Sequence, residues 1–567
     1  MIGSIVLGLS LVGCADDDGS GAGGTGGSST GPVSTPGSTT HDDGTTSGAD
    51  STTSGGENES SSSTGEPVPD PLVWSDQCVF GKSDFTALHP QLECTAIEVP
   101  LDWDDPDGEQ ITVAAFVVRS TAARRLGTLW QLDGGPGSSG IAFFLNHDRV
   151  ETITDAGWDF LVPAHRGTLS PQLRCSGPPL ASACRTELEQ EWGGGLRHFN
   201  TVNAAHDLAE FLARAAVDDD GAAIVYGVSY GTYLAQFLLG LHPHAADAVV
   251  LDSVLPAEPS VMQQESVIDS RAVALLQECV DDPVCGARVP FESGEAFGQA
   301  VIDAFNNSDC GAIDNGTWME SELHDTFGQL LNRQSQRNYI PLLAALAQRC
   351  TPEDSTLVSD AILGLNTAFQ LHSDSVDPLA EERARASRYG GVSNELFFRQ
   401  ELFAVVVATS LVPDGADVEL GAEVLASSGL ASTVDEAQSV FGTLPNAPFE
   451  TEFVPEIPVL ILNARYDLQT PLPWAEGVAD QYGSSVVVIE DAQHGVAIPG
   501  TGGRDLDGTP CVHPLVMGFA AAPDDPIDDA CIATLPAIDV NLVRPDLGGP
   551  SQMAFGTSDP WSLFDAK

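Results

Sequence analysis

Lysine is almost missing from these 567 residues: only Lys82 and Lys567 occur, and Lys and Arg together number 23 against 81 Asp and Glu. The formal net charge is −58. A nucleic-acid partner is not expected, because such binding rests on cationic contacts to phosphate. Ten of the acids lie between Asp16 and Asp70, so the other 71 of the 81 lie beyond Asp70. Charge of this size favours solubility over recognition of a basic partner. Beyond the N-terminus no hydrophobic run is long enough to span a bilayer. No Cys-x-x-Cys occurs, and no histidines stand at zinc-ligand spacing near the cysteines, so no metal is expected.

Cysteine, by contrast, is plentiful at eleven. That number points to an oxidising compartment. With Cys14 set aside, ten remain as close neighbours: Cys78/Cys94, Cys175/Cys184, Cys279/Cys285, Cys310/Cys350 and Cys511/Cys531. Nearest-neighbour pairing is the working expectation. Residues 2–12 form an apolar stretch of signal-peptide length that ends in Leu11-Val12-Gly13-Cys14. This resembles the lipobox of bacterial lipoproteins, which implies lipidation of Cys14 and a membrane anchor. The usual positive residues before the apolar stretch are absent. Residues 15–71 are rich in Ser, Thr and Gly and cannot bury enough apolar surface to fold. As a tether they reach roughly 40 Å.

From residue 72 the composition turns globular. Apolar runs at 126–132, 160–163, 222–226, 248–251, 458–462 and 486–489 alternate with helical patterns. Runs apolar at nearly every position fit buried parallel strands, so a doubly wound, mostly parallel α/β sheet is expected. Between 255 and 450 helical patterns dominate, as at 271–280, 340–348 and 396–411. The expected organisation is a signal segment at 1–14, a tether at 15–71, an α/β core at 72–254, a helical cap at 255–450, and the rest of the core with a C-terminal extension at 451–567.

The clearest chemical signal is Gly227-Val228-Ser229-Tyr230-Gly231, directly after an apolar strand and before a helix. A serine on so sharp a turn projects from the sheet edge near the positive end of a helix, as a nucleophile should. It needs a base, and the base needs an orienting carboxylate. Asp467 follows the strand at 458–462, and His494 follows the strand at 486–489. The order Ser229, Asp467, His494 suits an α/β-hydrolase. Asp491 competes as the acid but lies only three residues before His494. The other histidines, His147, His198, His206, His242 and His513 among them, read as surface or packing residues.

Asp133-Gly134-Gly135-Pro136-Gly137 opens a glycine-rich loop that can bring a backbone donor to an oxyanion. Gly135 is preferred over Gly134 for that role, with the Tyr230 amide as second donor. By letter, Gly135, Gly137 and Gly140 also match a dinucleotide-binding pattern. No acid follows the next strand to hold a ribose, and no Gly-Lys-Ser/Thr occurs, so no cofactor is expected.

Together these residues resemble the prolyl and tripeptidyl aminopeptidase family of α/β-hydrolases. The matching motifs are Asp133-Gly-Gly-Pro-Gly137, His165-Arg-Gly-Thr168, Gly227-Val-Ser-Tyr-Gly-Thr232, Val250-Leu-Asp-Ser-Val-Leu255, Asp467-Leu-Gln-Thr-Pro471 and His494-Gly495. The resemblance implies an α/β-hydrolase fold with an inserted helical cap and serine-dependent cleavage of peptides near a free N-terminus, without metal or cofactor. It also implies cap carboxylates for the substrate ammonium group, with Glu395 and Glu401 as candidates. Ala164 and His165 stand where relatives carry an acid before Arg166, and Leu169 where they often have glycine. A carboxylic-ester hydrolase with the same triad is the alternative. A non-catalytic surface binding protein is the reading from a different class.

Overall fold

The computed structural model describes residues 69–80, 83–169, 173–217, 219, 221–257, 264–306, 320–376, 399–411, 430–442, 444, 451–497 and 503–565. Cys14, residues 15–68 of the tether, Cys310 and Glu395 lie outside them.

Eight strands form one sheet: β1 (Leu92–Pro100), β2 (Gln110–Val118), β3 (Gly127–Leu132), β4 (Trp158–Pro163), β5 (Ala222–Ser229), β6 (Ala248–Val254), β7 (Val459–Ala464) and β8 (Val486–Ile489). Their spatial order is β8-β7-β6-β5-β3-β4-β2-β1. Every neighbouring pair from β8 to β4 is parallel. The pairs β4–β2 and β2–β1 are antiparallel. This is the mostly parallel sheet of an α/β-hydrolase.

The continuous apolar runs become central strands because both faces are covered; β3 and β6 are buried at every position. On one face Trp130, Val225 and Leu251 pack under α2 (Thr201–Ala215), α3 (Tyr230–Leu241) and α4 (Leu472–Tyr482). On the other, Leu129, Ile224 and Val250 pack against α1 (His147–Asp155) and α5 (Val512–Ala521). The two clusters follow from the period-two alternation of strand side chains.

Between β6 and β7 the described residues are helical, including Gln264–Asp281, Gly294–Asn306, Ile340–Arg349 and Pro352–Val376. They build a third core around Leu275, Phe297, Leu343 and Leu365. Two segments cross the expected boundaries. Residues 402–411 pack into the core beneath α2 and α3, not into the helical cluster. Val540, Leu547, Phe555 and Trp561 of the C-terminal extension pack into the helical cluster.

Disulfides join Cys78–Cys94, Cys175–Cys184, Cys279–Cys285 and Cys511–Cys531, the nearest-neighbour pairs expected. Cys350 is also disulfide-bonded. Among the described residues there is no lysine, so ion pairs there are carried by Arg or His, such as Arg166–Asp207 and Arg349–Asp354. No helix among these residues is long and apolar enough to cross a membrane.

Candidate active site

Ser229 ends β5 and caps the N-terminus of α3, with φ 57° and ψ −126°. A non-glycine residue at positive φ is costly and persists only where its surroundings enforce it. Here they do. A Cβ on Gly227 would lie 2.4 Å from the Gly231 carbonyl oxygen, and one on Gly231 would lie 2.5 Å from that of Leu132. Only glycine at both positions lets strand and helix approach this closely. The Thr232 hydroxyl donates to the Ser229 carbonyl at 2.6 Å and pins the turn.

His494 and Asp467 are in direct contact. Asp467 follows β7, and its two carboxylate oxygens lie 2.8 and 3.0 Å from His494 Nδ1. The carboxylate also accepts the Gln469 amide at 2.9 Å, the Thr470 amide at 3.0 Å and the Thr470 hydroxyl at 3.0 Å. Burial opposes ionisation of Asp467, yet the His494 imidazole and these hydrogen bonds hold its carboxyl below the ordinary value. Asp491, the competing acid, instead faces away into a cluster with Arg337 and Arg544.

The glycine-rich loop is shaped by Asp133. Its carboxylate accepts the Gly134 amide at 2.7 Å and also holds the Ser138 hydroxyl. A Cβ at Gly134 would lie 2.9 Å from Ser229 Cβ, so this loop lies directly over the serine. The Gly137 carbonyl accepts the Arg399 amide at 2.9 Å, tying the loop to the inserted region. Tyr230 begins α3, whose first amides lack intrahelical acceptors. Its hydroxyl bonds His165 Nε2 at 3.0 Å and the Thr201 hydroxyl at 2.9 Å. Burial pushes the His165 imidazole down to about 4, keeping it a neutral packing partner.

A cavity of about 30 Å³ lies beneath this loop, lined by Asp133, Ser138, His165, Arg166 and Tyr230 among others. It has room for a water, not for a peptide. Glu401 is buried, and its carboxylate accepts the Cys175 amide at 3.3 Å. The other proposed ammonium ligand, Glu395, lies outside the described residues. No group of acids, histidines and cysteines that could hold a metal occurs among the described residues.

Three supporting residues had no role in the sequence reading, although two motifs contained them. Ser253, at φ 62°, accepts the Gly495 amide at 2.7 Å. Asp252 accepts the Val496 and Ala497 amides at 2.8 and 3.0 Å and the Tyr226 hydroxyl at 2.5 Å. Together they fix the chain just after His494. Thr470 does the same for Asp467. Their signal was the run of polar residues at the ends of buried strands, in Val250-Leu-Asp252-Ser253 and Asp467-Leu-Gln-Thr470.

A family model described as TAP-like protein matches residues 441–531, the span that holds Asp467 and His494. A tripeptidyl aminopeptidase of Streptomyces lividans is 30% identical over 210 residues, covering 32% of this chain and 38% of that protein. The serine protease Hip1 of Mycobacterium tuberculosis is 25% identical over 205 residues, covering 30% and 38%. The chain thus spans 38% of the length of these curated relatives. A solved structure of a probable hydrolytic enzyme from Pseudomonas aeruginosa is 12% identical, with a TM-score of 0.31, covering 72% of this chain and 90% of that one. The chain is thus similar to TAP-like proteins over residues 441–531 and to these peptidases over part of its length, and its sheet has the α/β-hydrolase arrangement.

Proposed function

We propose that the protein is a serine peptidase that releases amino acids or short peptides from free N-termini through an acyl-enzyme. Ser229 Oγ attacks the scissile carbonyl while His494 accepts its proton. Asp467 holds Nδ1–H, orients the ring and supports the imidazolium. The Tyr230 amide and the Gly135 amide stabilise the oxyanion. Gly135 is favoured over Gly134 because the Gly134 amide is already engaged by Asp133. His494 then returns the proton to the leaving amine, and water, activated by the same imidazole, releases the acyl group. The observation that carries the reading is the forced positive φ of Ser229 at a strand-to-helix turn, in a chain whose His494 is already paired to Asp467. The tripeptidyl aminopeptidase relatives support peptide as substrate and N-terminal cleavage as its mode.

Export to an oxidising compartment is supported by the four described disulfides. Lipidation at Cys14 would then hold the enzyme on a membrane through the tether at 15–71.

One observation favours ester hydrolysis as the second reading. The Glu401 carboxylate is turned to the Cys175 amide, so it does not stand as an open ammonium site. Matched chromogenic peptides with free and acetylated N-termini separate the two. Cleavage confined to the free set is the expected result. Hydrolysis of simple esters with neither peptide set cut would establish the esterase. Ser229→Ala should lower turnover roughly 10⁴-fold or more, and near-normal turnover in that variant would overturn the triad.

A further inference from the structure

Asp491 is a buried carboxylate near the site with partners on both oxygens, yet the proposed chemistry gives it no task. Its side chain is 0% exposed. One oxygen accepts the Ser335 amide at 3.2 Å, and the other accepts Asn338 Nδ2 at 3.4 Å and Arg544 Nη2 at 2.7 Å. Arg337 Nε stands 3.8 Å from the first oxygen. Ser335, Arg337 and Asn338 come from the helical insertion, and Arg544 comes from the C-terminal extension. Those two parts are themselves joined. Asn338 Oδ1 accepts the Asp539 amide at 2.6 Å, and the Asp539 carboxylate accepts the Val543 and Arg544 amides at 2.7 and 2.6 Å.

We propose that Asp491 is a positioning residue: through it the helical insertion and the C-terminal extension grip the loop that carries His494. The proposal rests on the reading of His494 as the general base. Asp491 lies three residues before His494, on the short connection after β8. The other side of that loop is held by Ser253 and Asp252, which take the amides of residues 495–497. The imidazole is thus fixed from both flanks, one by the sheet and one by the two additions to it.

Arg337 adds a charge to this grip. It is fully buried, and none of its three guanidinium nitrogens has a hydrogen-bond partner among the described residues. A cation kept in that state is costly unless nearby charges offset it. The offsetting charges are Asp491 and Asp467, with the Tyr466 ring 5.9 Å away and Arg544 opposing. The insertion therefore places a positive charge where it acts on the carboxylate of the Asp467–His494 pair. The charged groups around that pair are Asp467 itself, Asp252 from β6, Arg337 from the insertion, and beyond them Asp491, Arg544, Tyr466 and Glu278.

A purely structural ion pair and a positioning cluster differ in the pH profile. Only neutral imidazole can take the serine proton, so the acid limb of kcat/KM reports its protonation. Removing the Arg337 cation favours imidazolium and moves the limb to higher pH. Removing the Asp491 charge leaves Arg337 and Arg544 unopposed and moves it to lower pH. The test uses the full-length chain with p-nitrophenyl acetate from pH 5 to 9, alongside thermal melts. Asp491→Asn is expected to lose roughly 10- to 100-fold in kcat with little change in KM, as for a displaced catalytic group. Its limb and that of Arg337→Gln should move in opposite directions by about half a unit. Arg544→Gln should lose kcat as Asp491→Asn does while its limb moves upward with that of Arg337→Gln, and Arg544→Lys should recover most of the loss. If Asp491→Asn does not fold, the two Arg544 variants and Arg337→Gln decide. Folded variants with lowered melting temperature, unmoved limbs and normal kcat would overturn the proposal. Esterase activity surviving in Ser229→Ala is a separate result, and would overturn the triad reading itself.

Discussion

Asp467 shows how a single residue is held against its surroundings. Burial alone would push its carboxyl toward the neutral acid; the imidazole, two backbone amides and the Thr470 hydroxyl reverse that. Asp467→Asn keeps the shape but presents His494 with an amide that can stabilise the wrong tautomer. Turnover is expected to fall about 10⁴-fold at neutral pH with the fold intact, checked by kinetics and near-ultraviolet circular dichroism. Tyr230 makes a contrasting case, because its proposed task belongs to its amide and its hydroxyl serves packing. Tyr230→Phe strands His165 and Thr201, at a cost of about 1–3 kcal/mol in denaturant unfolding. It should leave kcat within a few-fold of the parent. A large loss of kcat with unchanged stability would assign the hydroxyl a part in the chemistry.

At the scale of elements, stabilising cross-links follow loop length. In the chain-entropy view, closing a longer loop removes more freedom from the unfolded chain, about 3 kcal/mol for a loop near 20 residues and about 2 for one near six. Cys511–Cys531 has a separation of 20 and Cys279–Cys285 one of 6. Replacing the first pair by serine should therefore lower the unfolding free energy by more than replacing the second. The elements also show what the sequence could reveal. The five inner strands β3 to β7 are covered on both faces, so their apolar runs stand out without any partner in view, whereas β8 lies at the edge and is half-buried. β1 gave no such run, because it lies at the edge and alternates, with Ile97 and Val99 buried but Glu98 exposed; β2 does carry one, at 113–118, which the sequence reading passed over. Ser229, Asp467 and His494 stood out as candidates because Ser229 ends an apolar strand and the other two follow one within a short loop. Asp252, Ser253 and Asp491 act through partners distant in the chain, and only folding brings those partners together. The packing of Val540 and Trp561 into the helical cluster was hidden for the same reason.

For the molecule as a whole, two charge effects oppose each other. Burial pushes His89, His165, His206 and His513 down to about 4. A histidine lowered on folding binds its proton more readily when unfolded. Its contribution is full above about 6.5 and is lost as pH falls toward 4. The thermal midpoint should thus decline between these values, and His513→Phe should flatten the slope. A midpoint that rises on acidification to pH 4.5 would show that relief of acidic repulsion dominates instead. At neutral pH that repulsion, from a net charge of −58, is screened by salt. Adding about 0.5 M sodium chloride should raise the midpoint, with the Debye length reduced to a few ångströms.

The lack of lysine in the described residues has a bearing on alkaline conditions. Lysine ammonium groups begin to discharge near pH 10.4, whereas guanidinium stays protonated past 12. The buried bridge from Arg166 to Asp207, the clasp of Arg349 on Asp354 and the grip of Arg544 on Asp491 all use guanidinium. None of them has a proton to lose where lysine-based pairs fail. These internal bonds are built to outlast a rise in pH that would loosen the same contacts made with ammonium groups.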